Sequence, residues 1–246
     1  MKILSPHLNI MIKSCEKASK ILIRDFGELE NLQVSLKGPK DFVTNSDKKV
    51  EKILIEELNK YKKNYSIITE ESGLIENKDK ECFWIIDPID GTTNFLHGIP
   101  HFCISVALKI KNEIVSGIIF DPIKNEIFYA EKNNGSYFNN HRVRVSKKNN
   151  LDDCLFGTNN LGVPKTDLNT RVLGSAALDM AYVGSGRLDG FFQSNLNIWD
   201  IAAGVIIINE AGGKINNINY SQIEKIDIIA SSNNIHQKML EKLDNF

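Results

Sequence analysis

The chain has 246 residues, enough for one sizeable core, and its formal net charge of −1 supplies no global field to recruit nucleic acid or anionic lipid. Hydrophobic residues at 42% and charged residues at 25% are those of a soluble globular protein and exclude a low-complexity or disordered chain. No stretch reaches the roughly 18–20 apolar residues that span a bilayer, and the opening residues lack the apolar run of a signal peptide. Cys15, Cys82, Cys103 and Cys154 are scattered without a CxxC pair, which reads as free thiols in a reducing cytoplasm.

Leu8, Ile12, Cys15, Ser19, Leu22 and Phe26 share one helical face, and Gly27 is placed to end that helix. Residues 32–36 alternate like a strand, broken by Gly38-Pro39. Val50, Ile53, Leu54, Leu58 and Tyr61 predict a second helix over 46–61. From residue 66 the segments YSIIT, CFWII, CISVALKI, EIVSGIIF and EIFYA read as strands. A hairpin tip falls at Lys111-Asn112 and a turn at Asp121-Pro122.

Past residue 150, helices and strands alternate. Ser175 is expected to cap a helix through Ala176 to Val183, stopped by Gly184-Ser185-Gly186. Asp200 is expected at the N-cap of an apolar helix ending at Gly212-Gly213. The segment IDIIAS is a final strand before a C-terminal helix from about Asn234. The pattern predicts an α/β layered fold with much antiparallel sheet. A single domain over 1–246 is expected, divided at most into subdomains 1–145 and 146–246.

The densest chemical signal is WIIDPIDGTTN, Trp84 to Asn94. A buried apolar strand ends in a carboxylate, and Pro88 turns the chain so that Asp87 and Asp90 converge. Gly91 permits close backbone approach, and the helix start at Thr92-Thr93 offers N–H groups to a phosphate oxygen. Paired carboxylates beside an anion site fit oxygen-ligated Mg²⁺ shared with a phosphate. Asp-Pro and Asp-Gly are also common turn dipeptides, but the full run outweighs that reading.

Glu70-Glu71 follows another apolar strand and reads either as a solvated turn or as a neighbouring strand end where Glu70 completes a metal shell. Asp47 either caps the second helix, as Ser46 would, or pairs with a threonine hydroxyl as a base relay for water. Trp199-Asp200 has the same capping alternative to ligation. Gly174-Ser175-Ala176 opens a helix and can offer N–H groups to substrate hydroxyls. His97 and His101 lack metal-like spacing and read as structural or rim residues, and Arg187 and Asp189 as a local pair in a turn.

These residues resemble the inositol monophosphatase family, within the larger group that holds fructose-1,6-bisphosphatases and bisphosphate nucleotidases. The likeness covers nearly the whole chain. It is carried by D41-F-V-T-N-S-D47, E70-E71-S-G, W84 to N94 and W199-D-I-A-A-G…E-A-G-G213 in that order. It implies an αβαβα five-layer sandwich, commonly a homodimer, and lithium-sensitive Mg²⁺-dependent hydrolysis of a small phosphorylated polyol.

By resemblance, Glu70, Asp87 and the Ile89 carbonyl bind a first Mg²⁺. Asp87, Asp90 and Asp200 bind a second, and Glu70 helps hold a more labile third. Thr92, oriented by Asp47, helps activate water, while the Gly91 and Thr92 backbone and Asp90 meet the phosphate side. Gly174, Ser175, Ala176 and the residue at Gln193 face the substrate.

Two departures stand out. Relatives commonly carry a glutamate where this chain has Gln193, which turns the expectation from inositol phosphate toward small polyol phosphates in general. The link from Gly157 to Gly174 is also short, which bears on the dimer contact or the site rim. The alternatives are histidinol-phosphate or 3′(2′),5′-bisphosphate nucleotide hydrolysis, or a regulatory protein of the transcription machinery. No basic stripe with aromatic platforms supports direct nucleic-acid binding.

Overall fold

A computed structural model describes residues 4–29, 39–160 and 167–243. The strand expected at 32–36 and much of the short link before Gly174 lie outside these residues. Helix α1 (Pro6–Gly27) starts at Ser5, whose hydroxyl accepts from Leu8 N, and it ends where Gly27 was expected to end it. Helix α2 spans Pro39–Tyr61. It begins seven residues before the expected start at Ser46, with Pro39 in the first turn, where a missing N–H costs nothing. Ser46 and Asp47 are therefore interior positions of α2, which overturns the capping reading of both.

An eight-stranded sheet follows, with strand order β2-β1-β3-β4-β5-β6-β7-β8. Its members are β1 (Tyr65–Thr69), β2 (Gly73–Ile75), β3 (Asp79–Asp90), β4 (Cys103–Ile110), β5 (Glu113–Asp121), β6 (Glu126–Glu131), β7 (Gly135–Phe138) and β8 (His141–Val143). Only β1 and β3 run parallel; every other neighbouring pair is antiparallel. Both predicted turns are present, and Lys111 takes φ 57 at the hairpin tip.

The second sheet has the order β10-β9-β11-β13-β12. It is built from β9 (Phe156–Gly157), β10 (Thr170–Arg171), β11 (Gly190–Leu196), β12 (Gly213–Ile215) and β13 (Ile226–Ser232). The remaining helices are α3 (Thr92–Leu96), α4 (Ala176–Gly184), α5 (Ile198–Glu210) and α6 (His236–Lys242). The last starts two residues after the expected Asn234.

Period-two alternation decides the layers. Ile67, Trp84, Ile86, Val106 and Leu108 face α1 and α2, whereas Ile68, Ile85 and Ala107 face α4 and α5. In the second sheet Phe191, Ile228 and Ala230 face inward, and Phe192 and Ile229 face α6. The result is the predicted αβαβα sandwich, with α4 and α5 between the sheets. Helix α5 is buried almost all round, which explains a sequence apolar on every face.

Arg187 and Asp189 do not pair with each other. Arg187 forms two hydrogen bonds to Glu126 at 2.7 Å over the rings of Phe128, Phe138 and Tyr182. Asp189 accepts from Lys148 Nζ at 2.9 Å and Leu155 N at 2.7 Å.

Candidate active site

The parallel pairing of β1 with β3 matches Thr69 to Ile86, so Glu70 follows directly beside Asp87. On the other side of β3, Asp87 pairs with Ser105 and Asp90 with Cys103. Three steps along β3 thus match two along β4, a bulge of one extra residue. In an unbroken strand, positions i and i+3 point to opposite faces; the bulge re-aims one of them. Pro88 accordingly does not end the strand as its sequence suggested, since β3 continues to Asp90.

Asp87 is 2% exposed, and its Oδ1 accepts from Ile89 N at 3.0 Å. Burial raises its pKa well above the carboxylate range, and the charges of Asp90, Glu70, Asp200 and Asp47 add to the effect. Asp90 accepts from the Ser175 hydroxyl, from Ala177 N at 2.8 Å and from Cys103 Sγ at 3.8 Å. Burial still raises its pKa against those hydrogen bonds. Burial also raises that of Glu70, which shares a hydrogen bond with Asp87.

Asp200 is pushed up to about 7, by burial first and Asp90 second. It is not the N-cap: Asn197 occupies that position, and Asp200 sits three residues on, with Oδ2 accepting from Asn197 N at 2.7 Å. Asp47 rises to about 8 through burial and the acids Glu70, Glu71 and Glu51. Its Oδ1 is buried without a hydrogen-bond partner.

Gly91 takes φ 95, and a Cβ there would lie 3.0 Å from the His101 carbonyl oxygen. Both the backbone twist and the close approach require glycine. The next residue, Thr92, donates its hydroxyl to the Ile89 carbonyl at 2.8 Å. Ser175 caps α4 as expected, accepting from Leu178 N. The α4 N–H groups near it are directed at Asp90 rather than outward. Gln193 lies on β11 with its Oε1 buried and unpartnered.

Acids that share a site, two of them buried, with no ion pair to a cationic side chain among the described residues, favour a positive charge between them. The donors are hard oxygens, which suits Mg²⁺. Among the described residues no three His, Cys, Asp or Glu side chains form a ready cage. Mg²⁺ does not need a cage built by protein alone, because it commonly keeps several waters and shares phosphate oxygens of the substrate. The sequence model of the inositol monophosphatase family matches residues 3–245. The chain belongs to the inositol monophosphatase family.

An inositol-1-monophosphatase of Mesorhizobium japonicum is 41% identical over 95% of this chain and 94% of its own. A Nus factor SuhB of Pasteurella multocida is 38% identical over 98% of this chain and 96% of its own. The crystal structure of the extragenic suppressor protein suhB from Bartonella henselae superposes with a TM-score of 0.86 at 41% identity, covering 98% of this chain and 99% of that one.

Several residues that shape this inositol monophosphatase-type site carried no clear signal in the sequence. Glu51, 3% exposed, accepts from Thr69 Oγ1 at 2.6 Å, Glu71 N at 3.1 Å and the Ser72 hydroxyl, so α2 holds the turn that carries Glu70. Asn94 donates at 2.8 Å to both the His101 and Leu173 carbonyls, tying the Gly91 turn to the Gly174 loop. Asp179 is fully buried beside Gly157 with neither oxygen paired, and burial followed by Asp90 raises it to about 8. The polar ends of Glu51 and Asp179 look solvent-facing in sequence, while Asn94 sat inside a recognised motif without a role. His101 is half-buried against Tyr182, with its pKa lowered to about 4 by burial, which suits the structural reading.

Proposed function

We propose that this chain is a Mg²⁺-dependent phosphomonoesterase acting on a small polyol phosphate, of the inositol-1-phosphate type. The observation that carries the reading is the convergence of four carboxylates, with Asp87 and Asp90 buried, Asp200 half-buried and Glu70 at the exposed side, each raised in pKa. Glu70, Asp87 and the Ile89 carbonyl would hold one Mg²⁺, and Asp87, Asp90 and Asp200 a second, with Glu70 sharing a labile third. Bound Mg²⁺ would neutralise these acids, orient the phosphate and stabilise the charge that develops on the leaving oxygen.

The chain's own residues would do the rest. The Gly91 and Thr92 backbone holds the phosphate. Thr92 Oγ1 donates its hydrogen bond to the Ile89 carbonyl and not to Asp47, which corrects the expected pairing and leaves its lone pairs to accept from the attacking water. Asp47, with Oδ1 unpartnered, takes up the proton that the water loses. Ser175 and Ala177 fix Asp90 in place, and Gln193 Oε1 offers an acceptor to a substrate hydroxyl. Lithium inhibition, a homodimer and a cytoplasmic setting accompany this reading.

The test is phosphate release across inositol 1-phosphate, glycerol phosphate, histidinol phosphate and adenosine 3′,5′-bisphosphate. The polyol phosphates are expected to turn over best, and Gln193→Glu to shift KM among them more than kcat. A nucleotide preferred by orders of magnitude would refute the substrate class. A regulatory role is a second reading, because relatives at 38% identity carry the name Nus factor SuhB. Under that reading Asp87→Asn cuts phosphate release yet leaves the cellular role intact.

A further inference from the structure

The inner face of the eight-stranded sheet carries a lysine that the hydrolytic reading does not use. Lys109 lies on β4 opposite Phe83 of β3 and is only 7% exposed. Its Nζ donates to the Tyr220 carbonyl at 3.0 Å and sits 4.6 Å from the centre of the Phe83 ring. An ammonium has three donors, and the Tyr220 carbonyl takes one of them. No salt bridge reaches it among the described residues, and burial alone lowers its pKa. A buried charge without a counter-charge is costly, and a strand position facing a core is normally apolar.

A cavity of about 320 Å³ opens at this point. Lys80, Lys109 and Lys111 line it on the charged side, and Ile68, Leu74 and Ile223 form an apolar wall; among the described residues no acidic side chain lines it. Lys80 is tied to Glu76 at the rim, and Glu113, which acts on Tyr220, is tied to Lys132. The uncompensated charge therefore belongs to Lys109, with Lys111 at the mouth. Phe83 precedes Asp87 by four residues of strand, about 13 Å, so the cavity flanks the acidic cluster without sharing its ligands.

We propose that this cavity binds a small organic carboxylate, its head between Lys109 and Lys111 and its apolar body on Ile68, Leu74 and Ile223. A carboxylate there supplies the charge-assisted partner that Lys109 lacks. The size and the wall favour a compact, partly apolar anion over a polyanion.

The probe is 4-fluorobenzoate, followed by fluorine NMR on the full chain with Mg²⁺ and again with chelator. Saturable broadening is expected in both conditions. Lys109→Met should weaken binding at least about tenfold. Lys111→Asn, a residue type suited to the left-handed backbone at φ 57, should weaken it less while keeping the fold. Uncharged 4-fluorobenzamide should not saturate. The proposal is overturned by no saturable signal up to about 10 mM, by equal binding of acid and amide, or by binding that neither variant changes. A signal lost on chelation would place the anion on the metal instead and equally overturn it.

Discussion

Asp87 sits where the acidic cluster is most crowded, since Glu70, Asp90, Asp200 and Asp47 all act on it and it is buried at 2% exposure. Replacing it with asparagine keeps the shape and the bond from Ile89 N but removes the shared negative donor. Phosphate release by Asp87→Asn should fall by roughly 10²–10³-fold, the scale of losing one preorganised electrostatic group. The same variant should be no less stable than the parent in chelator, because a like charge has left a buried cluster. A lowered thermal midpoint in chelator would show that Asp87 is structural instead.

At the scale of elements, two turns carry the geometry. The Gly91 turn joins β3 to α3 at φ 95, with the His101 carbonyl 3.0 Å from any added Cβ. Gly91→Ala should cost about 1–3 kcal/mol in denaturant unfolding through backbone strain alone, together with a loss of activity. Ser175 caps α4 and also holds Asp90. Ser175→Ala should therefore lose about 1 kcal/mol of cap energy and more activity than a cap alone explains. A variant equal to the parent in both would separate Ser175 from the site.

The same elements show what was legible in the sequence. Glu70 directly follows β1 as an acid after an apolar strand should, while Asp87 lies inside β3, which runs on to Asp90; the order of these acids along the chain named the family. The bulge that brings Asp87 and Asp90 together depends on the β4 register, which no local pattern states. The start of α2 was misplaced because Thr44-Asn45-Ser46 has the composition of a cap, while Pro39 is an equally good first-turn residue. Asp200 was misread as a cap for a similar reason, since Asn197 three residues earlier can fill that position too. Glu51 sits in a lysine-rich helix and is buried only because the β1–β2 turn folds onto it.

For the whole molecule, the raised acids make stability depend on pH and on the cation together. Asp200 at about 7 and Asp47 at about 8 lie above their ordinary unfolded values, so the folded state holds more protons between about pH 4 and 8. Their stabilising contribution is complete below that window and is lost as pH rises through 7 to 8. In chelator the thermal midpoint should therefore drop from pH 6 to pH 8 as these groups ionise. Mg²⁺ favours the ionised forms, so its stabilising shift should be larger at pH 8 than at pH 6. An equal or smaller shift at pH 8 would mean that the cluster is not where the cation binds.

The two-sheet sandwich exists around this cluster: one sheet brings Glu70, Asp87 and Asp90, and the helix between the sheets brings Asp200. The most direct test of that arrangement as a hydrolytic centre is phosphate release from inositol 1-phosphate before chelation, after chelation, and after Mg²⁺ is restored. Activity should disappear with the cation and return with it. Activity untouched by chelation would mean that these carboxylates hold no catalytic cation.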